Sequence, residues 1–215
     1  MRSILVLTST YPRWAQDTEP AFVHFLSRQL GRTCRVIVLA PHYPGARRYE
    51  EMDGVHVHRF RYFIPAAERL AYDGGIITNL KRNRLKSLLI PFFLASQFFN
   101  ILWLARKYRV DLIHAHWIVP QGLLAVLARR LHLIPGRTRI LCTSHGGDLF
   151  SLQRNAWQAL KYYTLRHADH TTVVSTAMRD LLVEAGCSDA RISVRSMGVD
   201  LSTAFQPDTA DERSI

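Results

Sequence analysis

The 215 residues are 48% hydrophobic and 21% charged. That composition suits a globular chain with one sizeable core and excludes a collagen-like or disordered one. Lys and Arg number 28 against 17 Asp and Glu, a formal charge of +11, which attracts phosphates, anionic lipid or nucleic acid without choosing among them.

Residues 3–8 (SILVLT) are a short apolar run of the kind a buried parallel strand needs. This run is too short for a signal peptide. A polar loop over 9–19 holds Tyr11, Pro12, Trp14 and Glu19. Pro20 fits the first turn of a helix. Phe22, Phe25, Leu26 and Leu30 continue it at helical spacing to Gly31, which stops it. Residues 35–40 (RVIVLA) read as a second strand, followed by a turn at 41–45. Val55-His56-Val57-His58-Arg59-Phe60 alternates strictly and predicts a strand with one solvated face, which makes His56 and His58 strand surface. Residues 65–79 have weak periodicity around Gly74-Gly75 and read as a loop able to move.

Residues 81–108 form a long apolar segment with basic ends. Its length approaches a membrane span, but Pro91, Ser96, Gln97 and Asn100 interrupt it and strands flank it. A crossover helix buried on a sheet is expected. Lys81, Arg82, Arg84 and Lys86 at its start read either as a solvated cap or as a contact with anionic lipid. Strands follow at 111–115, 140–143, 171–174 and 191–194, and helices at 120–132, 152–167 and 176–185, the last stopped by Gly186. The alternation predicts an α/β fold, an open, mainly parallel sheet with helices on both faces. Right-handed crossovers then gather residues 10–19, 42–43, 116–121, 145–148 and 175–176 on one rim.

The stretch 140–150 (ILCTSHGGDLF) carries the sharpest signal. A strand runs into Ser144-His145-Gly146-Gly147-Asp148 at the end where open α/β sheets bind ligands. Glycines there let the backbone turn and approach a ligand. Ser144, His145 and Asp148 are too close in sequence for an ordinary triad, and no Gly-x-Ser-x-Gly elbow is present. A Gly-x-Gly-x-x-Gly dinucleotide signature is missing after the first strand. His114-x-His116 has a spacing that can bind a metal, but no Cys or carboxylate set accompanies it. No metal and no cofactor are expected. The basic residues are dispersed without a stacking platform, so nucleic acid is not an expected partner. Cys34, Cys142 and Cys187 read as reduced thiols of a cytoplasmic protein.

SILVLTSTYPR, FVHFLSRQL, VIVLAPHYPG, GVHVHRF, DLIHAHWIVPQG, TSHGGDL, ADHTTVVSTAMRDLL and MGVDLSTAFQP, in that order, resemble the N-terminal half of a family-4 glycosyltransferase of the GT-B architecture. The resemblance implies a Rossmann-like acceptor domain over 1–198, with 199–215 leading as a linker into a donor domain that lies beyond this sequence. It implies a retaining, metal-independent transfer of sugar from a nucleotide-sugar donor to a glycan or lipid-linked acceptor. The isolated chain is then expected to be inactive, and to lie in the cytoplasm or on the inner face of the cell membrane. An alternative is a non-catalytic, membrane-docking or partner-binding subunit of a two-chain glycosyltransferase.

His145 matches the family's acceptor-side histidine, whose implied role is to contact the transferred sugar or the acceptor, not to act as a nucleophile. Gly146, Gly147, Asp148, Trp117, Gln121, Tyr11, Glu19 and Ser175 complete the expected substrate-binding set. Asp148 could orient the imidazole, bind a hydroxyl or cap the following helix. Trp117 could face a sugar or pack in the core. Two departures stand out. Glu19-Pro20-Ala21-Phe22 replaces the glycine pair that many members carry before the first helix, and Pro20 has no N–H to offer a phosphate. Met197 stands where the family often has asparagine.

Overall fold

The computed structural model describes residues 1–151, 154–196 and 198. The expected linker at 199–215, and Met197, lie outside the described residues. Among the described residues one eight-stranded sheet forms, made of β1 (Ser3–Leu7), β2 (Arg35–Pro41), β3 (Tyr49–Met52), β4 (Val55–Phe60), β5 (Leu112–His116), β6 (Arg139–Ser144), β7 (His170–Val173) and β8 (Ile192–Val194). The strand order is β3-β4-β2-β1-β5-β6-β7-β8, and every pair is parallel except β3–β4.

The helices are α1 (Phe22–Gly31), α2 (Gly75–Arg82), α3 (Ile90–Lys107), α4 (Leu123–Arg130), α5 (Gly147–Phe150), α6 (Asn155–His167) and α7 (Thr176–Glu184). Alternate strand residues feed two cores. Leu5, Leu7, Ile37, Leu39, Ile113 and Ile140 pack with Phe93, Ile101 and Leu104 of α3 and with α4. Ile4, Val6, Val36, Val38, Val55 and Val57 pack with Tyr11 and with Val23 of α1. The helices therefore cover both faces, as right-handed crossovers require when the chain steps one way from β1 to β2 and the other way from β5 to β8. Beside α1, the face of β5, β6 and β7 lines a cavity instead.

Three local expectations need correction. The strand at 55–60 is less solvated than expected, for His56 stays partly exposed but His58 is 8% and Arg59 3% exposed. α3 covers it, with His58 Nε2 2.9 Å from the Tyr108 hydroxyl, while Arg59 turns the other way and donates to the Pro12 carbonyl. Next to it, β3 is an edge strand joined through Asp53-Gly54, whose φ values of 49° and 76° fit the twist-matched hairpin turn. Residues 65–79 are not a loose loop. Leu70, Ala71 and Tyr72 are fully buried, and Asn79 of α2 donates to the Leu70 and Tyr72 carbonyls. α1 begins at Phe22, so Pro20 precedes it. The helix expected over 152–167 is α6, at Asn155–His167, and residues 152–153 lie outside those described.

Candidate functional site

β6 ends at Ser144, and the chain turns through Gly146 at φ 92°, a conformation that L side chains rarely adopt. Gly147 has an ordinary φ and open space at its Cβ position, so only the first of the two glycines is required by the backbone. The turn leaves His145 half-buried at the carboxyl end of β6, where the register sets His116 of β5 opposite Thr143. His116 Nδ1 and His145 Nε2 are 3.0 Å apart, and the two rings lie within 5° of parallel. Phe22 at the start of α1 and Trp117 close on His145, with ring centroids 4.9 and 5.2 Å away. The His114 ring is 4.3 Å from that of His116, and its Nε2 meets Thr143 Oγ1, which in turn meets Thr172 Oγ1.

Burial holds all three imidazoles below their ordinary pKa, His114 at about 4, His116 well below 6.5, and His145 below it despite the opposing charge of Asp148. They are neutral at neutral pH. A neutral imidazole carries one N–H, so a single proton sits between His116 and His145. If His116 donates it, His145 Nδ1 bears the other N–H and His116 Nε2 is an acceptor; if His145 donates it, the roles reverse. Both outer nitrogens are buried and have no hydrogen-bond partner among the described residues. The pair flanks a cavity of about 770 Å³, lined also by Phe25 and Leu26 of α1 and by Thr143 and Thr172. That volume lies within the ordinary range for small-ligand sites.

Asp148 takes none of the three roles expected for it. It is buried, and its carboxylate accepts from the Ile118 N–H at 2.7 Å and from Ser144 Oγ at 2.8 Å. It ties the β6 turn to the segment after β5, where Trp117 has φ 78°, and so fixes the ring that packs on His145. Gln121 is fully buried and does not line the cavity, and both ends of its amide lack a hydrogen-bond partner among the described residues. Tyr11 is also fully buried, with its hydroxyl 2.7 Å from His24 Nδ1. Glu19 accepts from the Asp73 N–H at 3.0 Å, which ties two loops together. Ser175 caps α7, accepting from the Met178 N–H at 3.4 Å. The structure thus brings His145, Gly146 and Trp117 together, ties Tyr11, Glu19, Asp148 and Ser175 into the scaffold by hydrogen bonds, and leaves Gln121 buried apart from the cavity.

The basic cluster divides too. Lys86 Nζ donates to Asn79 Oδ1 and the Arg69 carbonyl, and Arg82 to the Asp73 carbonyl. Lys81 and Arg84 are exposed and unpaired among the described residues.

Sequence reasoning missed Phe22 and Gly122 and misjudged His116. A Cβ on Gly122 would come within 2.8 Å of Cys142 Sγ, so only glycine lets the segment after β5 lie this close to β6. The signal for His116 was its place at a strand end, which puts its ring beside whatever follows the neighbouring strand. Among the described residues no group of three or more His, Cys, Asp or Glu could hold a metal ion.

The model of the glycosyl transferase 4-like domain matches residues 19–198. The chain belongs to that family. No curated protein sequence matches it, but solved structures share its fold. HepE of Anabaena, solved with UDP-glucose, superposes with a TM-score of 0.55 at 13% identity over 94% of this chain and 45% of its own. The lipopolysaccharide outer core galactosyltransferase WaaB gives 0.52 at 14% identity, over 98% and 50%. The UDP-GlcNAc 2-epimerase of Methanocaldococcus jannaschii gives 0.51 at 13%, over 90% and 45%. The family domain is therefore a Rossmann-like α/β layer of the kind found in GT-B proteins, and the chain spans about half the length of these structures.

Proposed function

We propose that this glycosyltransferase domain holds the acceptor side of a retaining transfer, from a nucleotide-sugar to a glycan or lipid-linked acceptor, without a metal. The observation that carries this reading is the half-buried His145 on the cavity rim, whose Nδ1 has no partner among the described residues. A buried ring nitrogen left unpaired in the free protein is a place for a ligand's polar group. A sugar hydroxyl can both donate and accept, so it fits either tautomer. His116 sets which tautomer is present, and Phe22 and Trp117 hold the ring plane. Such a contact orients the reacting sugar and strengthens as charge develops on it. The donor's nucleotide would be held mainly by a second domain. HepE, the neighbour solved with UDP-glucose, supports a nucleotide-sugar as the donor class.

In the complete two-domain enzyme, His145→Ala should lower kcat about a hundredfold, with the unfolding midpoint little changed. Residues 1–215 alone should carry out no transfer. Unchanged turnover in the variant removes His145 from the reaction, and robust transfer by the isolated chain overturns the division of labour.

A further inference from the structure

α3 has two apolar faces, and the fold uses one. Phe93, Gln97, Ile101, Leu104 and Ala105 turn inward and are buried. On the other side Leu88, Phe92, Phe99 and Trp103 are 69%, 53%, 66% and 49% exposed. At 100° per residue the last three fall within about 40° of one another, and the row from 88 to 103 runs about 22 Å. Leu85 extends it, and the Phe63 ring packs on Phe92 at 5.6 Å. An exposed apolar row of this size marks a contact surface.

Its charges say with what. From residue 74 to residue 110 the sequence has no Asp or Glu, while Lys81, Arg82, Arg84 and Lys86 precede the row and Arg106, Lys107 and Arg109 end it. None of these cations forms an ion pair among the described residues. Lys107 Nζ lies 4.7 Å over the Trp103 ring, reaching outward from an aromatic anchor.

We propose that this face docks flat on an anionic lipid bilayer, with Leu85, Leu88, Phe92, Phe99 and Trp103 in the interface and the cations at both ends against the headgroups. The 3-10 turns from Arg84 to Leu89 run directly into α3, and the joined segment to Lys107 is long and apolar enough to cross a membrane. Its inner face, however, belongs to the core between β4 and β5, so it lies on the bilayer and does not span it. Two copies packed row to row would bring cation against cation in either direction, whereas anionic headgroups neutralise both ends. As the crossover from β4 to β5, α3 starts at the sheet edge where the strands finish, the edge that also carries His145. The surface therefore favours a lipid-linked acceptor; that last step rests on the proposed function, and the docking does not.

The test is sedimentation of the 215-residue chain with phosphatidylcholine vesicles, plain or with about 30% phosphatidylglycerol. Binding should require the anionic lipid. It should fall about tenfold or more in Phe99→Ser/Trp103→Ser and, separately, in Lys81→Glu/Arg84→Glu, with thermal melts confirming the fold. Brominated lipid should quench tryptophan fluorescence in the unaltered chain and much less in Trp103→Phe. Equal binding to neutral vesicles, undiminished binding by either double variant, or a dimer dissolved by Phe99→Ser would overturn the assignment. Vesicle binding by a complete enzyme that transfers no sugar would leave the surface standing and remove only the enzymatic reading.

Discussion

His24 and His145 lie on the same side of the sheet and end differently. His24 is closed on both nitrogens, with the Tyr11 hydroxyl donating to Nδ1 at 2.7 Å and Nε2 donating to Asp53 at 2.8 Å. His145 is tied at Nε2 alone, to a second histidine that is itself tied at one nitrogen. A closed network specifies a fold, whereas a buried half-open one waits for something to complete it. The same residue type is thus closed in one place and open in the other, and it is the open nitrogen beside a cavity, not an unpaired buried atom alone, that carries the proposed contact. Gln97 and Gln121 are buried and without a partner among the described residues too, and they line no part of that cavity.

The largest consequence is in the pH dependence of stability. His114 and His58 are both held at about 4 by burial, and His116 and His145 are shifted the same way. Their neutral forms are the ones the fold accepts. Below pH 6.5 the unfolded chain binds protons that the folded one refuses, so stability is complete above that pH and falls progressively towards about 4. Burial would raise the pKa values of Asp17 and Asp169, but hydrogen bonds donated by Arg13 and by the Ile140 N–H respectively outweigh it and hold both carboxyls down, so these two give way only below the ordinary carboxylate range. Urea midpoints at pH 7, 5.5 and 4.5 should decline in that order, and His114→Gln should flatten the decline. A midpoint independent of pH across this window would show the imidazoles to be free to charge where they sit.

The same contrast predicts unequal costs for one substitution. His24→Ala removes the 2.7 Å partner of the buried Tyr11 hydroxyl and the link to Asp53, and should cost about 2–3 kcal/mol. His145→Ala opens onto the cavity, where water can take the place of the ring, and should cost less than about 1 kcal/mol. Chemical unfolding of both variants decides it. Equal losses would make His145 as structural as His24 and break the comparison.

What the sequence disclosed follows the same division. SILVL and VIVLA become strands because both of their sides are buried, and a continuous apolar run says so without knowledge of neighbours. Tyr49-Glu50-Glu51-Met52 carries no such run and becomes an edge strand only because β4 pairs with it. Residues 65–73 look loose in sequence because their order comes from distant partners. Glu68, fully buried, accepts from His42 at 2.5 Å and from the Tyr62 N–H at 2.7 Å, and Tyr72 donates to the Pro41 carbonyl. At the site, His145 and Gly146 were legible as a turn after a strand. The His116 contact was not, since the register of β5 against β6 creates it across 29 positions. Tyr11 and Asp148 misled because residue type announces a polar group without saying where that group points.

The smallest expected effect sharpens the boundary of the site. Ser175 stands on the same rim as His145, at the end of β7, and its residue type suits a sugar hydroxyl as well as a helix end. Its oxygen accepts from the Met178 N–H, and its φ and ψ of −148° and 158° are those of a cap. Ser175→Ala should therefore lower stability by about 1 kcal/mol and leave turnover of the complete enzyme unchanged. Should turnover drop while the melting temperature holds, the hydroxyl faces substrate after all. The rim would then reach from β6 to β7, and an internally satisfied oxygen would no longer mark a residue as scaffold.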